Sequence, residues 1–232
     1  SSATGGGDRR CRGKPRRVDD DSVCNAVGIA ITAVLDFNGH RLAVCDLGAD
    51  LELAEDRQLI VPRKGVLEMT RMLSDSDDLV ELAIGKNHVR LVKDSTIFTS
   101  KLIDGRFPEY DRVIPKDSSN ELTADRESLR SALQRTAILS NEKYRGIRLI
   151  IRDSGVVMQA HNPEQEEAEE ELEVAYSGED IEIGFNVNYL LDALGGVDGE
   201  EVRVSVQDGN SSCLIRRPGT DDCKFVVMPM RL

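Results

Sequence analysis

The sequence has no hydrophobic segment long enough to cross a membrane. Its longest apolar run covers residues 26–35, whereas a spanning helix needs ~20 predominantly apolar residues. It also has no charged and then apolar leader followed by a cleavage site. We therefore expect a cytoplasmic protein that makes no membrane contact.

Positively charged residues are also fewer than negatively charged ones. The chain has 30 Lys and Arg against 42 Asp and Glu, which gives a formal net charge of -12 over 232 residues. Phosphate backbones are bound through Lys and Arg, so this balance argues against a protein that wraps nucleic acid by bulk charge, although it does not exclude local basic patches. A content of 40% hydrophobic and 31% charged residues is typical of a soluble protein with one large or two ordinary domains.

Cysteine occurs without any pairing motif. The chain has five cysteines, an odd number, and no two of them form a CxxC pair. Reduced, mostly structural thiols in a reducing compartment are the expectation from this usage. The residues concerned are Cys11, Cys24, Cys45, Cys213 and Cys223.

Signals of catalysis are missing as well. A metal-dependent nuclease or nucleotidyltransferase would place paired carboxylates at metal-binding spacing on strand ends, and no such set occurs. The acidic run at residues 164–173, close to His161, is an alternative candidate for a metal site. That run contains none of the turn glycines that a loop of oxygen ligands requires. We predict no catalytic residue, no metal site and no cofactor.

The first 45 residues divide into a polar tail and a hairpin. Residues 1–21 are mainly Gly, Arg, Ser and Asp, which favours a disordered tail over the alternative of a basic phosphate-binding arm. Residues 27–35 are then typical of a strand, and residues 41–45 of a returning strand, on either side of the turn dipeptide Asn38-Gly39. This arrangement predicts a hairpin.

A repeated order of elements indicates a duplicated domain. After a short strand at residues 59–61, Pro62 begins a helix with Val66, Met69 and Leu73 at helical spacing. An acidic turn and three strands follow, at residues 74–78, 80–84, 88–92 and 97–102. The same order returns from residue 181, where Asn186 is the predicted cap of a helix whose apolar positions are Val187, Leu190, Leu191 and Leu194.

Between the two repeats the pattern predicts one more helix and several strands. The helix covers residues 125–139, and the strands cover residues 146–151, 156–160 and 172–176. Strands of the second repeat are expected at residues 181–185, 202–206, 213–216 and 225–228. Each helix has one apolar and one solvated face, so the fold class is α+β: antiparallel sheets with helices on one face, in repeated modules.

The carboxyl-terminal strand at residues 225–228 ends at Pro229, which cannot donate to a sheet ladder. Met228 and Met230 flank that proline. Methionine repacks easily and suits a groove that accepts several partners. A final core strand and the wall of an apolar groove are both consistent with these residues.

Segments spread over residues 38–232 resemble the bacterial replicative sliding clamp, the beta subunit of DNA polymerase III. They are NGHRLAV at 38–44, VPRKG at 61–65, FTSKL at 98–102, DGRFPEY at 104–110, ILSNEK at 138–143, NPEQEEAEE at 162–170 and VVMPMRL at 226–232. The resemblance implies a DNA clamp fold with three similar modules per subunit. Two subunits of such a clamp close head to tail around duplex DNA, with helices lining the hole.

A protein of this kind has no catalytic site of its own, although it is grouped with DNA-directed DNA polymerase, a nucleotidyltransferase, as part of the holoenzyme. It tethers the polymerase to DNA for processive replication. Its implied partners are duplex DNA without sequence preference, the DNA polymerase III core, the clamp loader and other proteins with a clamp-binding motif.

The resemblance also divides the chain. Residues 1–35 match nothing in the family and are interpreted as a disordered or aberrant segment. Residues 36–110 correspond to a partial middle module and residues 111–232 to the C-terminal module. Because the first module of the homodimer ring has no counterpart, we expect this chain to be a monomer. The alternative function is a clamp fragment or peptide-binding module that cannot encircle DNA.

Three sets of site residues follow from the resemblance. The partner-peptide groove comprises Gly39, His40, Arg41, Leu42, Pro108, Arg112, Val113, Ser212, Val226, Val227, Met228, Pro229, Met230, Arg231 and Leu232, with Phe37 beside it in place of a small polar residue. The DNA-facing cations are Arg63, Lys64, Arg71, Arg130 and Arg135. The subunit interface contains Ile138, Leu139, Glu167, Glu169 and Glu170. Core packing is the alternative for the apolar residues, and a solvated helix face is the alternative for the cations.

Overall fold

A computed structural model describes residues 29–37, 39–49, 59–73, 80–105, 109–116, 120–153 and 155–231. The predicted α+β class is confirmed, with antiparallel sheets and helices over them. No helix among these described residues is both long and apolar enough to span a bilayer.

The described elements are three helices and fourteen strands. The helices are α1 (Arg63–Leu73), α2 (Arg126–Ala137) and α3 (Val187–Gly196). The strands up to α2 are β1 (Ile29–Phe37), β2 (Arg41–Ala49), β3 (Glu81–Ile84), β4 (His88–Lys93), β5 (Thr96–Lys101) and β6 (Asn120–Asp125). The later strands are β7 (Gly146–Arg152), β8 (Gly155–His161), β9 (Glu167–Leu172), β10 (Ala175–Ser177), β11 (Ile181–Asn186), β12 (Glu201–Val206), β13 (Cys213–Arg216) and β14 (Cys223–Val227).

These elements form three sheets in two compact units. The first unit holds α1 and the sheet β3-β4-β5. The second unit holds the hairpin residues 32–47 and the described residues from 109 onward. Its sheets have the orders β1-β2-β14-β13-β12-β6-β10 and β11-β7-β8-β9. The partial middle module predicted for residues 36–110 is therefore divided, because its hairpin strand β2 pairs with the final strand β14.

The core of the second unit lies under helices α2 and α3. Helix α2 buries Leu129, Ala132 and Leu133 on its apolar face, and α3 buries Val187 and Leu190 near its start. Both helices have side-chain caps at their amino ends. Asp125 accepts a hydrogen bond from the Ser128 N–H, and Asn186 accepts one from the Asn188 N–H, as short polar residues do at this position. The helix and cap predicted at Asn186 thus have the expected geometry.

The first unit buries much less. Its apolar cluster consists of Ile84, Val89 and Leu102, with Leu59 and Val61 packed against them. In helix α1 the only fully buried residue is Gly65, and an added Cβ there would lie 2.6 Å from the Ser100 hydroxyl oxygen. Helix α1 therefore approaches β5 closely at this position, so substitution at Gly65 requires a neighbour to move.

Several segment predictions need correction. Residues 59–61 are not a strand, although the Ile60 carbonyl accepts a hydrogen bond from the Ile103 N–H. The acidic run is strand β9, and residues 172–176 are divided between the ends of β9 and β10. Strand β6 was not predicted, because Leu122 and Ala124 are its only apolar residues. Asn38 and the acidic turn at residues 74–78 lie outside the described residues.

The expectation of reduced thiols is also wrong for one pair. Cys45 on β2 and Cys223 on β14 are joined by a disulfide. The two residues are 178 positions apart in the sequence, and only the pairing of β2 with β14 makes them neighbours. Cys213 is a free, buried cysteine, as expected for a structural thiol.

Candidate functional site

The pairing of β2 with β14 brings together several of the residues predicted to form the groove. Arg41 is the register partner of Val227, and Leu42 is the partner of Val226. Side chains alternate across a strand, so adjacent residues of each strand point to opposite faces of this ladder. The predicted groove residues are therefore distributed over two faces and one end.

One face of the ladder is an apolar surface. Leu42, Val44, Leu214 and Val226 are buried there as one cluster. The segment at residues 109–116 lies over them and contributes Tyr110, Val113 and Ile114, all half-buried. Val113 and Val226 were predicted as groove residues, and the structure brings them into this cluster.

The opposite face of the ladder forms a pocket with helix α3. The pocket has a volume of about 270 Å³. Its lining comprises Arg41, Leu42, Ala43, Tyr189, Asp192, Ala193, Phe225, Val226 and Val227. Four of these residues were predicted from the sequence, whereas the three from α3 were not. The lining is mainly apolar, with one ion pair at its polar side.

That polar side is organised by Tyr189. The His40 ring stacks on the Tyr189 ring with their centroids 6.2 Å apart. The guanidinium carbon of Arg41 lies 4.9 Å from the centroid of the same ring, and Arg41 also forms an ion pair with Asp192. A cation above an aromatic face is attracted by the ring quadrupole. Sequence reasoning missed Tyr189, although an aromatic residue outside the apolar stripe of α3 was an available signal.

The end of the chain is fixed by hydrogen bonds around Met228. Its N–H donates to the His40 carbonyl at 2.8 Å, and its sulfur accepts a hydrogen bond from the Ser212 hydroxyl at 2.9 Å. The Met230 N–H donates to the Gly184 carbonyl at 2.8 Å. Met228, Pro229 and Met230 remain half-exposed. Two methionines are thus held in place by their backbone while their side chains stay accessible.

Other predicted groove residues lie at the edge of this arrangement. Gly39 has a φ of 82° and forms the turn before β2, in a backbone conformation that favours glycine. Arg112 is exposed and pairs with Glu109 at 3.0 Å. Arg231 is exposed. Pro108 and Leu232 lie outside the described residues, and the side chain of Phe37 is not described either.

The cations predicted to face DNA differ in their surroundings. Arg63 and Lys64 are exposed at the start of α1 and form no ion pair with the described residues. Arg71 pairs with Glu68, three positions earlier. Arg130 lies 3.7 Å from Glu127 on α2. Of the five predicted DNA-facing cations, Arg63 and Lys64 therefore have the charges that nearby carboxylates neutralise least.

Arg135 and Glu170 were predicted for different surfaces, but they form one ion pair. Arg135 Nε and Nη2 donate to the two carboxylate oxygens of Glu170 at 2.6 and 3.1 Å. These hydrogen bonds raise the pKa of Arg135 and lower the pKa of Glu170. A bidentate pair of this kind orients both side chains. Both assignments stay predictions, but a substitution at either residue will affect both.

The remaining interface residues form an exposed patch beside this pair. Ile138 follows the last turn of α2 and is 74% exposed, and Leu139 next to it is half-buried. Glu167 and Glu169 are exposed on β9, which is the edge strand of its sheet. The Glu169 carboxylate accepts a hydrogen bond from the Gln159 amide at 2.7 Å. An exposed isoleucine beside an unpaired strand edge is suited to protein contact.

No cluster of metal-ligating side chains is present in the part of the chain that the structure describes. The acidic residues around His161 instead alternate along β9. Their side chains form contacts with Gln159 and Arg135.

Comparison with protein families identifies the chain. A model for the central domain of the DNA polymerase III beta subunit matches residues 29–109. A model for the C-terminal domain of the same subunit matches residues 111–231. The chain belongs to the DNA polymerase III beta subunit family. The second match covers the described residues of the second unit from 111 onward, and the hairpin falls in the first match.

Relatives and solved structures agree with this assignment. The beta sliding clamp of Pseudomonas putida is 53% identical over 195 residues, which are 84% of this chain and 53% of that protein. A crystal structure of the DNA polymerase III subunit beta from Pseudomonas aeruginosa matches with a TM-score of 0.85 at 49% identity. It covers 90% of this chain and 57% of the other. The chain thus spans about half the length of the relatives it matches.

A second structure from Pseudomonas aeruginosa is of the sliding clamp bound to griselimycin. It matches with a TM-score of 0.83 and 49% identity. It covers 90% of this chain and 56% of that clamp.

Proposed function

We propose that the chain acts as part of a bacterial sliding clamp, a non-catalytic tether that holds the replicative polymerase on DNA and binds partner proteins through short peptides. The observation that supports this most is the assembly of His40, Leu42, Val226 and Met228 on one strand ladder, in a chain of the beta subunit family. In this proposal the DNA polymerase III core, the clamp loader and other clamp-binding-motif proteins are the partners.

The surfaces of the β2–β14 ladder suit an extended peptide with apolar anchors. Apolar side chains occupy one face, a pocket of about 270 Å³ opens on the other, and Met228 and Met230 are half-exposed at the end. Methionine side chains adapt to ligands of different shape. His40, Tyr189 and Arg41 supply polar and aromatic contacts at the rim. Apolar pockets with a few fixed polar groups are the usual form of such sites.

Contact with DNA is proposed to be electrostatic and without sequence preference. Arg63 and Lys64 are the best candidates, since they are exposed and form no ion pair with the described residues. A net charge of -12 makes tight binding by charge alone unfavourable. In a complete clamp, topological linkage in a closed ring would make tight binding unnecessary. The 232-residue chain on its own is expected not to close such a ring. A cytoplasmic location is part of this proposal.

The peptide groove is tested by shortening Met228. We expect Met228→Ala to weaken binding of a clamp-binding peptide by about 1–3 kcal/mol, the range of a truncated anchor at an interface. The peptide has a glutamine and apolar anchors, and its fluorescence anisotropy is followed during titration with the full chain. Met72→Ala is the matched control, because Met72 is also half-buried but lies on α1 of the first unit.

Equal affinity of the wild type and Met228→Ala would show that the groove is assigned to the wrong residues. Equal losses for Met228→Ala and Met72→Ala would indicate a general loss of stability. A peptide that binds neither variant nor the wild type would contradict the proposed peptide-binding function itself.

A further inference from the structure

Cys45 and Cys223 face each other across the ladder that also forms the groove. They are register partners, with their Cα atoms 4.1 Å apart. The next pair along the ladder is hydrogen-bonded, since the Asp46 N–H donates to the Asp222 carbonyl. Hydrogen-bonded and non-hydrogen-bonded pairs alternate in antiparallel sheets, and the non-hydrogen-bonded pairs have the closer Cα atoms. The cysteines therefore occupy the kind of position at which two strands can be cross-linked directly.

Access to reagents distinguishes these two cysteines from Cys213. Cys45 and Cys223 are half-exposed, whereas Cys213 is fully buried. Burial raises the pKa of Cys213 to about 12, so its thiol stays protonated at neutral pH. Thiolates are the species that react with disulfides, and access controls the rate. Among the described residues, this sheet therefore holds one accessible cysteine pair and one inert cysteine.

The pair and the groove lie at opposite ends of one ladder. From the Cys45–Cys223 pair, the register runs through Ala43 and Phe225 to Arg41 and Val227. At that far end the Met228 N–H donates to the His40 carbonyl. The groove keeps its shape only while β2 stays on β14. A covalent bond at the near end prevents the two strands from separating.

We propose that Cys45 and Cys223 are a reversible redox site, which exchanges with small-molecule disulfides such as glutathione disulfide and holds the peptide groove assembled when oxidised. The inference rests on the proposed function of the groove. In cytosolic proteins, disulfides are usually transient and redox-responsive rather than permanent.

The exchange is balanced in two steps. One cysteine thiolate attacks glutathione disulfide, which forms a protein–glutathione mixed disulfide and releases one glutathione thiolate. The second cysteine thiolate attacks the protein sulfur of that mixed disulfide and releases the second glutathione. The protein loses two hydrogens, and one glutathione disulfide is reduced to two glutathione molecules. An excess of glutathione reverses both steps.

The site is tested on the full chain in which Cys11→Ser and Cys24→Ser remove the two thiols outside the described residues. After equilibration in glutathione buffers, we expect an intact mass lower by two hydrogens and a linked pair of peptides that contain Cys45 and Cys223. The cross-link closes a loop of 178 positions, so oxidation should raise the thermal midpoint by about 10–20 °C. Cys223→Ser and, separately, Cys45→Ser should abolish both changes.

The link to the groove is tested by peptide binding at increasing urea. The oxidised chain should retain binding at urea concentrations where the reduced chain has lost it, and Cys223→Ser should behave like the reduced chain under both conditions. Free thiols or stable glutathione adducts at Cys45 and Cys223 would overturn the redox site. A disulfide with identical urea dependence of peptide binding would overturn its effect on the groove. Absence of peptide binding in both states would instead contradict the proposed function, while mass and midpoint still test the disulfide.

Discussion

Shortening Leu133 to alanine will lower the unfolding free energy of the second unit by about 2–5 kcal/mol, the range for removing a large aliphatic side chain from a packed core. Leu133 is 2% exposed and lies on the buried face of α2, in the main apolar cluster. That cluster includes residues of both helices and of the strands beneath them. A cavity at this position cannot be filled without moving several elements, which places the expected loss in the upper part of the range.

This loss of unfolding free energy is measured by unfolding the full chain in urea, with hydrogen exchange at the β7 and β8 amides as the readout. Ile138→Ala is the control, because Ile138 caps the end of the same helix and is 74% exposed. We expect the control to change the free energy by less than about 0.5 kcal/mol. Similar losses for both variants would contradict the assignment of Leu133 to the core and Ile138 to an exposed patch.

A second large effect is expected in how quickly the chain is released from DNA. We expect the chain of 232 residues to leave circular DNA as quickly as linear DNA. In the clamp family the acidic face of the C-terminal module meets the first module of a neighbouring subunit, and the family matches here are to the central and C-terminal domains. Glu167 and Glu169 of β9 are predicted to belong to that face. Two copies that met through it would bring like charges together, and like charges across an interface repel.

Sedimentation and retention on DNA test this expectation together. The chain should sediment as a monomer at all concentrations, and its release from a nicked circle should match its release from the same DNA after linearisation. Faster release at higher salt is expected in both cases, because the remaining contacts are electrostatic. Retention on the circle that disappears on linearisation would contradict the absence of ring closure. A complete sliding clamp loaded on the same circle is the positive control.

Local patterns in the sequence were sufficient for most helices and strands. Helix α3 follows from the spacing of Val187, Leu190 and Leu194 and from the cap at Asn186, and the structure places the cap and the buried face as predicted. The hairpins β3–β4 and β7–β8 follow from alternation around short polar turns. These features depend on residues that are close together in the sequence, and for this reason the sequence alone predicts them.

Edge strands were harder to predict, because their apolar signal is weak. Strand β9 alternates between exposed Glu167, Glu169 and Glu171 and half-buried Ala168, Glu170 and Leu172. Glu170 takes an inward position that is usually apolar, and the ion pair with Arg135 makes this acceptable. The charge of Glu170 obscured the alternation of apolar and polar residues, so the predicted strand began only at residue 172.

Long-range pairings could not be predicted from local pattern at all. The contacts of β2 with β14 join segments about 180 positions apart, such as Cys45 and Cys223 with a separation of 178. Resemblance to the clamp family indicated that His40 and Met228 belong to one groove. The Met228 N–H donates to the His40 carbonyl, and the groove itself stays a prediction. Neither the local sequence pattern nor the family resemblance indicated the disulfide or the role of Tyr189. The disulfide and the contacts of Tyr189 both depend on the three-dimensional pairing.

Binding of a partner peptide at the β2–β14 ladder can be tested directly through the methionines of the chain. There are five: Met69 and Met72 on α1, Met158 in the core, and Met228 and Met230 at the groove. Methyl spectra of methionine-labelled chain should show the signals of Met228 and Met230 moving as the clamp-binding peptide is added. The other three signals should stay in place. Saturable binding that moves only Met69 and Met72, or that moves neither Met228 nor Met230, would contradict the account.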